Sequence, residues 1–139
     1  MTLARTSITR FLNVDLDVRA HSGLGELLGP LASSVLVLNQ SAQEASVELN
    51  EQHDSLEETI VKLIELIQSL PPQAEAIWNK CELRRFNIGI EAELEPYATC
   101  FTLSNQTISL LAGIKAEIMF TVYAPSSRAE SLSKRHSLA

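Results

Sequence analysis

Two short stretches of the sequence place carboxylate and amide side chains at alternate positions, a pattern that could assemble an oxygen-rich site. Together they contribute six such side chains: Asn13, Asp15, Asp17, Asn87, Glu91 and Glu93. Oxygen ligands of this kind suit Mg²⁺ or Ca²⁺, and two nearby carboxyls can also act as general acid and general base. If the two stretches are neighbouring strands, these side chains share one face of a sheet, with Asp15, Asp17 and Glu91 as candidate metal ligands.

A second interpretation is that the six side chains form the solvated face of a sheet. Alternating charges on an exposed strand are common, and Arg19, Arg84 or Arg85 could neutralise part of this charge. No stretch completes the D-x-[DN]-x-[DN]-G spacing of a calcium loop. We therefore favour docking, in which all six residues bind a protein partner or a second copy of the chain, and we assign no metal, cofactor or catalytic residue.

Nucleophilic chemistry finds little support in the sequence. Cys81 ends an apolar helical stripe, Cys100 lies in a predicted strand, and neither has a histidine close by in sequence. The sequence contains no G-x-S-x-G, P-loop, G-x-G-x-x-G or H-E-x-x-H motif. A non-enzymatic binding module is therefore favoured, and the alternative is a small enzyme or ligand-binding protein that uses the acidic side chains with a divalent metal.

Composition and charge narrow the classes of partner. The chain has 139 residues, of which 45% are hydrophobic and 20% charged, as expected for a soluble globular protein. Residues 11–125 hold six basic side chains against sixteen acidic ones, a formal charge of −10. Nucleic acid is therefore a poor partner, because its phosphates require a basic patch. The absence of a long apolar run and of an export signal predicts a cytoplasmic protein with no membrane association.

The two acidic stretches alternate strictly between polar and apolar residues, which predicts strands with one covered face. Residues 8–19 form the first predicted strand, and residues 84–95 form the second. Together with two later helices, these strands supply the predicted core: Leu12, Val14, Leu16, Ile60, Ile64, Ile67, Trp78, Ile88 and Ile90. Helices are expected on one face of the sheet only, because a sheet covered on both faces would have continuously apolar strands.

The remaining elements follow from capping signals, prolines and periodicity. Ser55 and Glu58 form a capping box before an amphipathic helix, and Pro71 with Pro72 ends that helix and starts another. The other predicted elements are a short helix near residues 24–31, a hairpin from residues 35–38 and 45–49, a strand over 97–103, a helix after Ser104 or Asn105, and a strand over 117–123. This order predicts an α+β two-layer sandwich with a mainly antiparallel sheet of about six strands, a ferredoxin-like split βαβ unit plus an extra βαβ piece. Residues 1–125 are expected to form one domain and residues 126–139 a flexible tail.

Three segments also carry a resemblance. They are Phe-Leu-Asn-Val-Asp-Leu-Asp at 11–17, Arg-Arg-Phe-Asn-Ile-Gly-Ile-Glu-Ala at 84–92, and Phe-Thr-Val-Tyr-Ala-Pro at 120–125. With these segments, most of residues 11–125 resembles an uncharacterised bacterial family of hypothetical proteins. The resemblance implies a bacterial, cytoplasmic source and transfers no activity, substrate or catalytic residue.

Overall fold

The computed structural model describes residues 8–125 of the chain. The strands are β1 (Arg10–Arg19), β2 (Val35–Gln40), β3 (Glu44–Leu49), β4 (Leu83–Glu91) and β5 (Glu117–Tyr123). The helices are α1 (Leu24–Leu28), which continues into a 3₁₀ turn over Gly29–Leu31, α2 (Leu56–Gln68), α3 (Pro72–Lys80) and α4 (Asn105–Gly113). The predicted tail, residues 126–139, lies outside the described range.

The five strands form one open sheet in the order β2-β3-β1-β4-β5, so β1 lies at its centre. Neighbouring strands run antiparallel except for β4 and β5, which are parallel and are joined through α4. The protein is therefore an α+β fold with a mainly antiparallel sheet, as the sequence predicts. The described residues provide five strands, because one predicted strand does not form.

The strand predicted over residues 97–103 is wrong. This segment has no regular structure, and the side chain of Tyr97 is fully exposed at 103%. Both edges of the preceding strand, β4, are already paired, one with β1 and the other with β5, so this segment cannot join the sheet beside β4. The strand predicted over 84–95 also ends earlier, at Glu91, which leaves Leu94 83% exposed.

A β-bulge in β1 explains why one residue that was predicted to lie in the core, Leu12, does not. Phe11 lies opposite Ile90, but Asn13 lies opposite Gly89, so Leu12 is an extra residue in β1. The insertion reverses the alternation, because one added residue moves the preceding side chains to the opposite faces. Leu12 is consequently 36% exposed, and Phe11 packs against the core in its place. The other predicted core residues are buried: Val14, Leu16, Ile60, Ile64, Ile67, Trp78, Ile88 and Ile90.

The helix layer is built from the predicted signals. The Ser55 hydroxyl oxygen accepts a hydrogen bond from the Glu58 N–H at 3.2 Å and begins α2, whose apolar stripe is buried against the sheet. After Pro71 the chain enters α3, which buries Trp78, and the indole Nε1–H donates to the carbonyl of Ile114 at 2.8 Å. The apolar side chains of β1 face this layer, and its polar side chains from Asn13 to Arg19 are only half-buried on the opposite face.

Candidate functional site

The sheet face opposite the buried apolar side chains brings the two acidic stretches together. Because β1 and β4 are hydrogen-bonded neighbours, Asp15 lies opposite Asn87 and Asp17 lies opposite Arg85. Side chains that lie opposite each other in an antiparallel pair share one face and have Cβ atoms about 5 Å apart. We call this surface, formed by Asn13, Asp15, Asp17, Asn87 and their neighbours Ser46 and Glu48 on β3, the acidic face.

Asp17 is the neutralised member of the acidic face. Its Oδ2 lies 3.2 Å from Nη2 of Arg85 and accepts a second bond from Nε at 3.2 Å. Its Oδ1 accepts a hydrogen bond from the Ser46 hydroxyl at 2.7 Å. Both carboxylate oxygens therefore have partners within the protein, so Asp17 is a structural link across β3, β1 and β4.

Asp15 differs from Asp17 because no cation compensates it. Its Oδ1 accepts a hydrogen bond from the Asn13 amide at 3.1 Å, and among residues 8–125 no basic side chain is within ion-pair distance. Burial is the main cause that raises the pKa of the Asp15 carboxyl to about 6, and the negative charges of Glu48 and Asp17 act in the same direction. The acidic face thus holds a carboxyl whose pKa lies well above the ordinary value of 3.8.

Gly89 makes room for the amide that supports Asp15. A Cβ atom at position 89 would lie 2.7 Å from Oδ1 of Asn13, well inside van der Waals contact. The missing side chain lets the Asn13 amide lie over β4 while its Nδ2 donates to Asp15. Gly89 is therefore part of the construction of the acidic face, although it carries no functional group.

The three other predicted residues make their contacts away from Asp15, although Asn87 lies directly opposite it. On β4, Asn87 accepts a hydrogen bond from the Thr121 hydroxyl at 2.8 Å, which ties it to β5. Glu91 lies four residues farther along the strand, roughly 13 Å away, where it forms a 2.9 Å ion pair with Arg10. Glu93 lies beyond the end of β4. The candidate metal ligands Asp15 and Asp17 are therefore close together, but Glu91 does not join them.

Sequence reasoning missed Glu48, which is the acidic neighbour of Asp15 on β3. The alternation of β3 shows Ser46 and Glu48 as polar positions, so the signal for their common face was present. What the sequence did not reveal was that β3 lies against β1, because adjacency of strands is set by the topology of the sheet. Arg10 was missed for a related reason, since the bulge at Leu12 turns it onto the acidic side.

Within the described part of the chain, the acidic face is an open surface and does not form a pocket around Asp15, Asp17 or Glu91. Among residues 8–125, no three His, Cys, Asp or Glu side chains are grouped closely enough to hold a metal ion. Two clefts of about 480 and 450 Å³ lie elsewhere, the first lined by Ser33, Asn50 and Lys62 and the second by His21 and Lys80. A small third cleft reaches the margin of the face at Asn13 and Glu48. None of the three is lined by Asp15, Asp17 or Glu91.

The candidate nucleophiles lie away from the acidic face. Burial raises the pKa of the Cys81 thiol, which disfavours the reactive thiolate, and Cys100 is exposed in the irregular segment after β4. His53 lies 3.7 Å from the carboxylate of Glu58 at the start of α2, and His136 lies outside the described residues. The described residues thus bring no cysteine and histidine into a catalytic pair.

Comparison with known proteins adds no family. None of the helices within residues 8–125 has the length and apolar character needed to cross a lipid bilayer. The chain matches no family model, and neither a curated protein nor a solved structure shows significant similarity to it.

Proposed function

We propose that this chain is a non-catalytic interaction module of the bacterial cytoplasm that docks a basic protein partner on its acidic face. The observation that carries the proposal is Asp15, a half-buried carboxyl beside Glu48 with no compensating cation among the described residues. A lysine or arginine supplied by a partner would provide that cation. That cation would favour the charged form of Asp15, which burial and, to a lesser extent, the charges of Glu48 and Asp17 disfavour.

The charge of the whole chain supports the same kind of partner. The formal charge of −10 over residues 11–125 produces a field that attracts cations from a distance and repels acidic surfaces. Such attraction mainly accelerates association and weakens as salt screens it, over a Debye length of about 8 Å at physiological ionic strength. We therefore expect the affinity of the acidic face for a basic partner to fall steeply as the salt concentration rises.

A titration with a defined basic probe tests the docking proposal. We would add an arginine- and lysine-rich octapeptide to the isotope-labelled protein and follow the amide signals by NMR. The variant D15N/E48Q should bind the peptide at least about fivefold more weakly, which corresponds to about 1 kcal/mol. The matched control is E26Q/E75Q, which removes the same charge from two exposed positions on α1 and α3. Equal weakening by both pairs, or peptide shifts spread evenly over the helix layer, would show that only net charge matters.

A second candidate is a small enzyme or ligand-binding protein that uses Asp15 with a divalent cation. The observation that favours it is the pKa of about 6, which suits a general base near neutral pH. Calorimetric titration with Mg²⁺ and Ca²⁺ separates the two candidates. Docking predicts no stoichiometric heat, whereas a saturable signal that D15N abolishes would favour the metal site.

A further inference from the structure

The outer edge of β5 carries unpaired backbone groups. Within residues 8–125, β5 pairs with β4 on one side only. The Tyr123 carbonyl accepts a hydrogen bond from the Ala92 N–H at 2.9 Å, so the backbone of Tyr123 points toward β4. Because backbone groups alternate along a strand, those of Ile118, Phe120 and Val122 point to the open edge. Each offers one donor and one acceptor to an additional strand.

The side chains of these three residues are also incompletely covered. They lie on the helix side of the sheet, in register with Phe86, Ile88 and Ile90 of β4. The residues of β4 are buried, but Phe120 is 55% and Val122 is 59% exposed, because the helix layer does not extend over the edge strand. At β5, therefore, apolar side chains of the sheet are exposed to solvent on the same strand whose outer edge is unpaired within residues 8–125.

Edge strands usually carry devices that prevent pairing with another chain, and the residues of β5 itself supply few of them. Its sequence contains no proline or lysine, its only charged residue is Glu117, and its register with β4 has no shift. The opposite edge, β2, is interrupted by a bulge between Val37 and Asn39. Because β2 also contains no proline or charged residue, the unbroken register of β5 is the feature that makes it the better edge for an additional strand.

We propose that two copies of the chain pair their β5 strands antiparallel about a two-fold axis at Phe120, which joins the two sheets into one of about ten strands. A second copy fits because β5 is complementary to itself in this register. Phe120 lies opposite Phe120 of the other copy, and Ile118 lies opposite Val122, so apolar side chains meet on the helix side. Glu117 lies opposite Tyr123, and the two glutamates end up at opposite ends of the interface. Parallel pairing in register would instead place them side by side.

This interface does not depend on docking at the acidic face. The pairing side chains lie on the helix side, whereas Asp15 and Glu48 lie on the opposite side of the sheet, two and three strands away from β5. A dimer would therefore present two acidic faces on one continuous surface. Failure of peptide binding would leave the dimer untouched, and failure of dimerisation would leave the docking proposal untouched.

The proposed pairing of the two β5 strands can be tested by placing opposite charges at position 120, which lies opposite itself in the dimer. We would measure molar mass by analytical ultracentrifugation for the full chain and for F120K and F120E, with circular dichroism to verify folding. The wild type should be a dimer at micromolar concentrations, and each variant alone should be a monomer, because like charges meet across the axis. An equimolar mixture of F120K and F120E should again form dimers. A monomeric wild type at about 100 µM, or a mixture that stays monomeric, would overturn the proposal.

Two further variants separate backbone pairing from simple loss of apolar surface. V122P removes an N–H that points outward and spares the bonds to β4, so it should also yield a folded monomer. The matched control is V37K on the β2 edge, where the side chain is 48% exposed. V37K should leave the dimer intact. A dimer that resists V122P, or one that V37K disrupts, would place the interface elsewhere.

Discussion

Asp17 of β1 and Arg85 of β4 lie directly opposite each other, with Nη2 of the arginine 3.2 Å from Oδ2 of the aspartate. The pair is partly shielded, since the side chains are 13% and 30% exposed, respectively. Two residues away along β1, Asp15 faces Asn87 and has no cationic partner among residues 8–125. Two aspartates that look equivalent in the sequence therefore have opposite electrostatic roles.

This difference predicts opposite effects of two isosteric substitutions at pH 7. D15N should stabilise the protein, because it removes a charge that burial and Glu48 disfavour. D17N should destabilise it by about 1–2 kcal/mol, because the Arg85 pair and the charged acceptor for Ser46 are lost. Urea unfolding of both single variants measures the two changes. Effects of the same sign would show that the two carboxylates share one environment.

The raised pKa of Asp15 also predicts how stability changes with pH. Below pH 6 the folded protein binds a proton at Asp15, whereas the unfolded chain binds it only near the ordinary value of 3.8. The contribution of this group to stability should therefore increase as the pH falls from 7 to 4. The gain should be about 1 kcal/mol once solvent screening of this half-exposed group is allowed for. Subtracting the unfolding free energy of D15N from that of the wild type at each pH isolates the contribution of Asp15. A difference that does not change with pH would contradict the prediction.

Glu57 should show the opposite dependence on pH. Its carboxylate accepts a hydrogen bond from the Ser104 N–H just before α4, and this bond is the main cause that lowers the pKa of Glu57. Because the pKa of Glu57 is lower in the folded protein than in the unfolded chain, this carboxylate stabilises the fold at any pH above its unfolded-state pKa. The stabilisation is lost as the pH falls through the folded-state pKa. E57Q should thus lower the melting midpoint at pH 7, and its difference from the wild type should shrink as the pH falls. E58Q, one residue along α2, provides the control, because Glu58 makes no contact with α4 among the described hydrogen bonds.

Gly89 offers a test of how the acidic face is built. In G89A the new methyl group would displace the Asn13 amide, whose Oδ1 lies 2.7 Å from the added Cβ. The hydrogen bond to Asp15 should break, and the pKa of Asp15 should rise further, because a donor to the charged form is lost. NMR titration of the Asp15 carboxyl carbon measures the shift.

The variant N13A serves as the reference for that titration. It removes the same donor directly, so it should raise the pKa of Asp15 to a similar extent, and N13A/G89A should add nothing more. Additive shifts in the double variant would mean that Gly89 acts through the backbone of β4 and not through Asn13.

The sequence predicted those features that depend on local pattern. From Val14 to Arg19 the polar and apolar positions alternate in the sequence and in the structure, and Ser55 caps α2 as its box indicates. The prediction that Leu12 is buried was wrong because a bulge is a property of two paired strands. The sequence of one strand does not show where its partner skips a residue.

The site was less predictable than the fold for the same reason. Asp15 and Asp17 occupy equivalent positions in the alternation, and only the register with β3 and β4 gives one of them Arg85 and the other Glu48 as a neighbour. The segment over 97–103 had the alternation of a strand but no free edge beside β4. Local periodicity therefore indicated which residues face solvent, and the pairing of distant segments determined what they meet there.

The central position of β1 has a consequence for the order in which the chain can fold. Of the five described strands β1 is synthesised first, yet Asp17 finds its partners only 29 residues later at Ser46 and 68 residues later at Arg85. The β2–β3 hairpin has a short connection and can close early against one edge of β1, whereas the other edge of β1 stays open until β4 has been synthesised. During that interval the central strand lies at an open edge of an incomplete sheet, which exposes the nascent chain to pairing with other chains until residue 91 is made.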